Sequence, residues 1–169
     1  MKALLLRQLG DLDTLAAPLE LADVPDPIPG PGEVLIRVSA CGVCHTELDE
    51  IEGRTPPPVL PVIPGHQVVG RVVQCGPRPT ALKPGARVGV GWIYSACGHC
   101  DYCRRGSENL CPAFRATGRD ANGGYAELMV VRQEFAYPIP DSPMTDAEAA
   151  PLLCAGAIGY RALRLANPP

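Results

Sequence analysis

The chain has 169 residues, 46% of them apolar and 20% charged, with a formal net charge of −3. That balance belongs to a folded domain with its own core and excludes a disordered chain. A net negative charge without any dense Lys/Arg patch argues against nucleic acid as a partner. No uncharged apolar run reaches the ~20 residues of a membrane span, and the apolar start is too short for a signal peptide. Eight cysteines without such a signal read as cytoplasmic metal chemistry, not as a disulfide framework.

Glycine (18) and proline (20) are abundant and apolar runs are short, a composition of many strands joined by tight corners. In chain order, residues 2–8 and 19–24 are expected to form an opening hairpin. Residues 25–32 carry four prolines and two glycines and must turn. Residues 33–41 alternate as a strand that runs into the corner Cys41-Gly-Val-Cys44-His45-Thr46, and one or two helical turns are expected over 47–52. Residues 66–75 are valine-rich and 86–91 form a short strand. After a cysteine-rich loop, the strand pattern resumes over 123–132 and 134–139. Helical composition begins only near Thr145, with a final helix over 155–166. The expected fold is mainly β with a few helices.

The cysteine-rich loop reads Cys97-Gly-His-Cys100-Asp-Tyr-Cys103, followed by Cys111. Three thiolates at three-residue spacing and a fourth one short loop later can close a tetrahedron. Soft sulfur ligands select Zn²⁺ or an iron–sulfur centre, and a closed four-sulfur site is characteristic of structural zinc; two disulfides or scattered core cysteines are the alternatives. His99 lies inside this loop, but four sulfurs already complete it. Cys44, His66 and Cys154 are a second candidate set, each placed where the chain turns beside glycine. Their intervals of 22 and 88 residues leave a Cys₂His metal site and ordinary buried residues both open. Cys41 forms a Cys-x-x-Cys pair with Cys44 and reads better as a small buried apolar residue. Cys75 has no ligand role.

Several motifs occur together: Gly42-Val-Cys44-His45-Thr46, Pro64-Gly-His66, the four-cysteine loop, Gly123-Gly-Tyr-Ala-Glu127 and Pro151-Leu-Leu-Cys154-Ala-Gly. In this order they resemble zinc-containing alcohol dehydrogenases of the medium-chain dehydrogenase family. The resemblance implies a GroES-like, partly open β-barrel over residues 1–153. It implies a linker helix over 154–169 leading to a dinucleotide-binding domain that this sequence does not contain, since no Gly-x-Gly-x-x-Gly fingerprint lies between a strand and a helix. Within the family pattern Cys44, His66 and Cys154 match the catalytic zinc ligands, and Cys97, Cys100, Cys103 and Cys111 match the structural zinc site. Two zinc ions per chain are therefore expected, with NAD or NADP held only when the further domain is present.

The same matching places Thr46 at the start of a proton relay, with helix capping as its structural alternative. It puts His45 near the cofactor pyrophosphate and Trp92 at the wall of the substrate pocket. Three positions depart from the family pattern. Glu47 stands for the aspartate that holds the ligand histidine, keeping the charge and adding a methylene. Gln67 replaces the glutamate of Gly-His-Glu, and Asp49 takes the place of a relay histidine. Metal binding is thus expected more firmly than turnover. The implied activity is oxidation of alcohols to aldehydes or ketones by zinc-assisted hydride transfer to NAD(P). The implied partners are a small alcohol or carbonyl substrate and, in a full-length protein, further copies of the same chain as a homo-oligomer. The alternative is a truncated, non-catalytic zinc-binding domain without oxidoreductase activity of its own. The final helix, apolar on more than one side, is expected to leave an exposed apolar patch.

Overall fold

The computed structural model describes residues 1–77 and 81–167. Strands β1 (Lys2–Leu5) and β2 (Glu20–Asp23) pair antiparallel as a separate ribbon. The main sheet has five antiparallel strands in the order β8-β3-β4-β5-β9. Its members are β3 (Glu33–Gly42), β4 (Gln67–Cys75), β5 (Arg87–Val90), β8 (Leu128–Arg132) and β9 (Ala136–Pro138). Strand β3 is the spine, because its ten residues pair with β4 on one side and β8 on the other. Register shifts between Leu35 and Ile36 and between Val38 and Ala40 bend it, as bulges do where a sheet curls towards closure. The result is the partly open barrel expected from the sequence.

The barrel interior is filled by Val34, Ile36, Val68, Val72, Val88, Val90, Met129 and Val131. Each buried β-branched or long apolar side chain contributes roughly 1.5–3 kcal/mol by leaving water, and β-branched residues fit a pleated surface. This valine-rich packing is why residues of low helical preference settle as strands here.

The remaining elements are short. Strands β6 (Ile93–Ser95) and β7 (Arg115–Ala116) make a small ribbon, and helices α1 (His45–Ile51), α2 (Asp101–Arg104), α3 (Asp146–Ala149) and α4 (Ala155–Ala166) complete the set. Some expectations shift. The strand drawn over 123–132 begins only at Leu128, because Gly123, Gly124 and Tyr125 donate their backbone N–H groups to Ile63, Gly65 and Pro64 instead of to a sheet. Residues 133–135 form a 3₁₀ turn before β9. Helix α1 begins at His45 with Cys44 as its N-cap, so Thr46 lies inside the helix and does not cap it. Of the final segment assigned over 154–169, residues 168 and 169 lie outside the described residues.

Helix α4 buries none of its residues, and Ile158, Tyr160, Leu163 and Leu165 are all exposed. The apolar patch expected from the sequence is therefore present on the surface. No helix is long and apolar enough to cross a membrane among the described residues.

Candidate metal centres

The four-cysteine loop folds around α2. Cys97 Sγ stands 3.9 Å from Cys103 Sγ, Cys100 Sγ stands 3.6 Å from Cys103 Sγ, and all four sulfurs lie within 4.8 Å of one another. A regular tetrahedron of sulfurs about 2.3 Å from zinc has edges of about 3.8 Å, so the spacing is that of a shared metal ion and far beyond a covalent S–S bond. Backbone N–H groups aim at these sulfurs: Cys97 N donates to Cys111 Sγ at 3.4 Å, Cys100 N to Cys97 Sγ at 3.3 Å, and Ala113 N to Cys111 Sγ at 3.3 Å. Donors of this kind favour thiolate. Cys97 is pulled down to about 6 by the backbone N–H groups of His99 and Cys100, while burial pushes Cys103 up to about 12. A shared cation would bring sulfurs of such different acidity to a common thiolate state. The His99 ring is turned away, with Nδ1 2.9 Å from the Cys97 carbonyl oxygen.

The second set is assembled from three distant segments. Cys44 is placed by the β3–α1 corner. His66 enters just before β4, after Gly65, whose φ of +97° is natural only for glycine and whose added Cβ would lie 2.6 Å from the Tyr125 ring. Cys154 arrives by packing: Ala149 and Ala150 bury against Val69, and Leu153 closes on Gly89. The approach is fixed by the Thr145–Glu148 capping box on α3 and by Arg87, which donates to Asp146 Oδ1 at 2.8 Å and to the Met144 carbonyl at 2.9 Å.

The three side chains meet. Cys44 Sγ and Cys154 Sγ are 3.9 Å apart, and the Cys44, His66 and Cys154 donor atoms lie within 4.8 Å of one another. His66 is 1% exposed; its Nδ1 stands 2.6 Å from Glu47 Oε1 as a close polar contact, and neither ring nitrogen completes a hydrogen bond. A buried imidazole nitrogen without a partner, facing two sulfurs, is the donor set a Zn²⁺ ion requires. Burial first, and then the neighbouring Cys44 sulfur, push Cys154 up to about 11. Two adjacent sulfurs resist becoming thiolates until a cation stands between them.

Glu47 does more than face His66, because its Oε2 accepts the Cys44 N–H at 2.7 Å. One carboxylate thus ties two candidate ligands together, and its extra methylene does not prevent the reach. Thr46 Oγ1 lies 3.5 Å from Cys44 Sγ. Trp92 stacks edge-on to His66 with ring centroids 5.0 Å apart. With Ile93, Tyr137, Leu153, Ala157 and Ile158 it walls a cleft of about 390 Å³ that reaches Cys154.

The residues matched to the cofactor pyrophosphate and to the relay, His45 and Asp49, stand further out. The His45 side chain is 75% exposed, with Nε2 3.7 Å from Asp49 Oδ1, and Asp49 is engaged by the Arg54 guanidinium. Gln67 is buried at the first residue of β4, its Oε1 without a partner. Cys41 is pushed up to about 12 by burial, in keeping with an inert apolar role, and Cys75 Sγ donates to the Leu82 carbonyl. Sequence reasoning missed Glu50, which is buried on α1 with Glu47, Arg119 and Asp120 as its charged neighbours, Arg119 also lying over the Trp92 ring. The three-residue spacing of Glu47 and Glu50 on one helix was the available signal.

Known proteins share this domain and its fold. The alcohol dehydrogenase GroES-like domain matches residues 30–141. A probable alcohol dehydrogenase, AdhA, of Mycobacterium tuberculosis is 50% identical over 100% of this chain and 50% of its own length. An alcohol dehydrogenase of Geobacillus stearothermophilus is 48% identical over 88% of this chain and 44% of its own length. Among solved structures, the cobalt- and zinc-bound thermostable alcohol dehydrogenase of Pyrobaculum aerophilum superposes with a TM-score of 0.81 at 34% identity, covering 96% of this chain and 48% of that one. The chain spans about half the length of the curated relatives it matches. On the domain match and on a barrel shared with zinc-bound relatives, the chain belongs to the alcohol dehydrogenase GroES-like domain family.

Proposed function

We propose that this chain is the zinc-bearing catalytic part of an NAD(P)-dependent alcohol dehydrogenase, which interconverts alcohols with aldehydes or ketones by hydride transfer. Cys44, His66 and Cys154 would hold the catalytic zinc, and Cys97, Cys100, Cys103 and Cys111 the structural zinc. The observation that supports the reading best is the buried His66 Nε2, partnerless and turned towards the Cys44 and Cys154 sulfurs while Glu47 holds the opposite nitrogen.

A zinc ion held by Cys44, His66 and Cys154 would supply Lewis acidity towards an alcohol or carbonyl oxygen. The protein residues do the rest. With Oε1 2.6 Å from Nδ1, Glu47 would orient the His66 ring so that Nε2 is left for the metal. Thr46 offers a hydroxyl beside Cys44 where a substrate proton can be passed outward. Trp92 and the apolar walls of the cleft exclude water and seat a small hydrocarbon-bearing substrate. Asp49, tied to Arg54, and His45, at the surface, lie on the outward side of α1, where a relay and a cofactor phosphate would be met.

Zinc analysis of the purified chain tests the assignment. Two zinc ions per chain are expected, falling to one in Cys154→Ser and to one in Cys103→Ser. A single zinc that survives Cys154→Ser and disappears in Cys103→Ser would refute the catalytic site. Titration with NAD(P)⁺ should show negligible affinity for this chain by itself. A zinc-binding domain without oxidoreductase activity would give the same metal count, and it is separated by assaying the chain joined to a dinucleotide-binding half.

A further inference from the structure

A second cavity, of about 410 Å³, shares no lining residue with the cleft at Cys154. It opens where the chain before β4, the loop after β7 and strand β8 come together. Val62, Ile63, Leu128 and Met129 are buried and give it an apolar floor, while Arg115, Arg119 and Asn122 supply polar walls. Asp120 is the one carboxylate lining it among the described residues, and that carboxylate is already engaged. Its Oδ1 accepts from Arg119 Nε at 3.0 Å, and its Oδ2 accepts from Arg119 Nη2 at 2.9 Å and from the Ala116 N–H at 2.7 Å. Arg115 Nη2 donates to the Asp120 carbonyl oxygen. Each guanidinium also sits over a ring, Arg115 over Tyr94 at 5.4 Å from the centroid and Arg119 over Trp92 at 5.8 Å.

These contacts orient both guanidiniums without using them up. Arg115 Nε and Nη1 and Arg119 Nη1 form no hydrogen bond with the described residues. Asn122 accepts the Ile63 N–H at 3.1 Å through Oδ1, which leaves its amide NH₂ as a further donor. The Met1 ammonium, also in the lining, is paired with Asp26 at 2.8 Å. Two guanidiniums against one carboxylate leave an excess of one positive charge, which suits a monoanion. A carboxylate meets a guanidinium through paired, charge-assisted N–H···O bonds, and an apolar chain beside it displaces water from the floor. We propose that this cavity binds a small aliphatic carboxylate, its head held by Arg115 and Arg119 and its chain laid on Val62, Leu128 and Met129. The site is independent of the metal reading. Its occupant reports itself, because Arg119 lies over Trp92, the sole tryptophan of the chain, and a carboxylate that draws Arg119 alters the field at the indole.

Titration of the zinc-loaded protein with sodium hexanoate at constant ionic strength, followed by Trp92 fluorescence and by calorimetry, tests the assignment. Saturable binding is expected, roughly tenfold weaker in Arg115→Gln and unchanged in Cys154→Ser. Arg115 is exposed, so its replacement spares the core. Butyrate should bind roughly tenfold more weakly than hexanoate, since each CH₂ buried on the floor is worth up to about fourfold. Inorganic phosphate, which has no chain, should not displace hexanoate at equal concentration. Absence of saturable binding overturns the proposal. So does equal binding by Arg115→Gln, or equal affinity for butyrate, hexanoate and phosphate, which would describe surface arginines collecting any anion. Binding that Cys154→Ser abolishes and Arg115→Gln spares would place the carboxylate at the proposed metal and overturn it as well. One zinc per chain in place of two would remove the metal reading and leave this proposal standing.

Discussion

Replacing Glu50 by glutamine should change how the stability of this domain depends on pH. The folded protein holds the Glu50 proton up to about pH 8, whereas an unfolded chain releases it near the ordinary value of 4.5. Between those values the unfolded state binds fewer protons, so stability must fall as pH rises. Each unit of separation is worth about 1.4 kcal/mol, which makes the whole penalty on the order of 5 kcal/mol at pH 8. Below the unfolded value both states are protonated and the penalty vanishes; above the folded value it stays constant. Glutamine cannot ionise and escapes this term. It leaves an amide with poor partners, at a cost of about 1–3 kcal/mol that does not vary with pH. The diagnostic is therefore the slope of the difference between the two proteins. Urea unfolding of wild type and Glu50→Gln, both without added zinc, at several pH values should show the variant gaining steadily from about pH 5 to about pH 8 and then levelling. A difference that stays flat across this window would refute the claim that Glu50 is neutral in the fold.

Glu47→Gln should lower affinity for the second zinc by about 10–100-fold, measured by chelator competition, because one amide cannot accept from both Cys44 N–H and His66 Nδ1–H. The zinc held by the four-cysteine loop should be unaffected. Gly70→Ala places a Cβ 2.3 Å from the Arg37 carbonyl oxygen of the neighbouring strand, and backbone in the sheet spine cannot move aside. A loss of roughly 2–4 kcal/mol is expected from denaturant titration. Leu163→Gln, on the exposed face of α4, should change stability by no more than about 0.5 kcal/mol while reducing binding of a hydrophobic dye; an unchanged dye signal would mean that this face is not the apolar patch.

Much of the fold was legible in the residue pattern. Valine-rich alternation announced β3, β4 and β5, and the Pro/Gly clusters marked the turns between them. Features of two or three residues were not legible: β6, β7 and the 3₁₀ turn at 133–135 are too short to carry a period. The strand expected from Gly123 failed for another reason. Its first residues have partners in the Ile63–Gly65 segment, and that pairing is non-local. The N-cap of α1 went to Cys44 because Glu47 accepts its N–H, a bond that the identity of Thr46 could not reveal.

The two candidate metal centres divide in the same way. Cys97, Cys100, Cys103 and Cys111 sit on one short loop, where chain geometry limits how far apart the sulfurs can be, so spacing by itself implied a shared ion. Cys44, His66 and Cys154 carry no such local constraint, and only their resemblance to a family joined them in sequence. In the structure it is Ala149 and Ala150 packed on Val69, with Leu153 against Gly89, that carry Cys154 to its partners. Glu50 shows the limit most clearly. Its place on the Glu47 face of a helix follows from spacing, but its charge depends on burial and on an arginine already taken by Asp120. Local covalent geometry determines what one loop can hold; desolvation and partners supplied by distant segments determine what a buried group becomes.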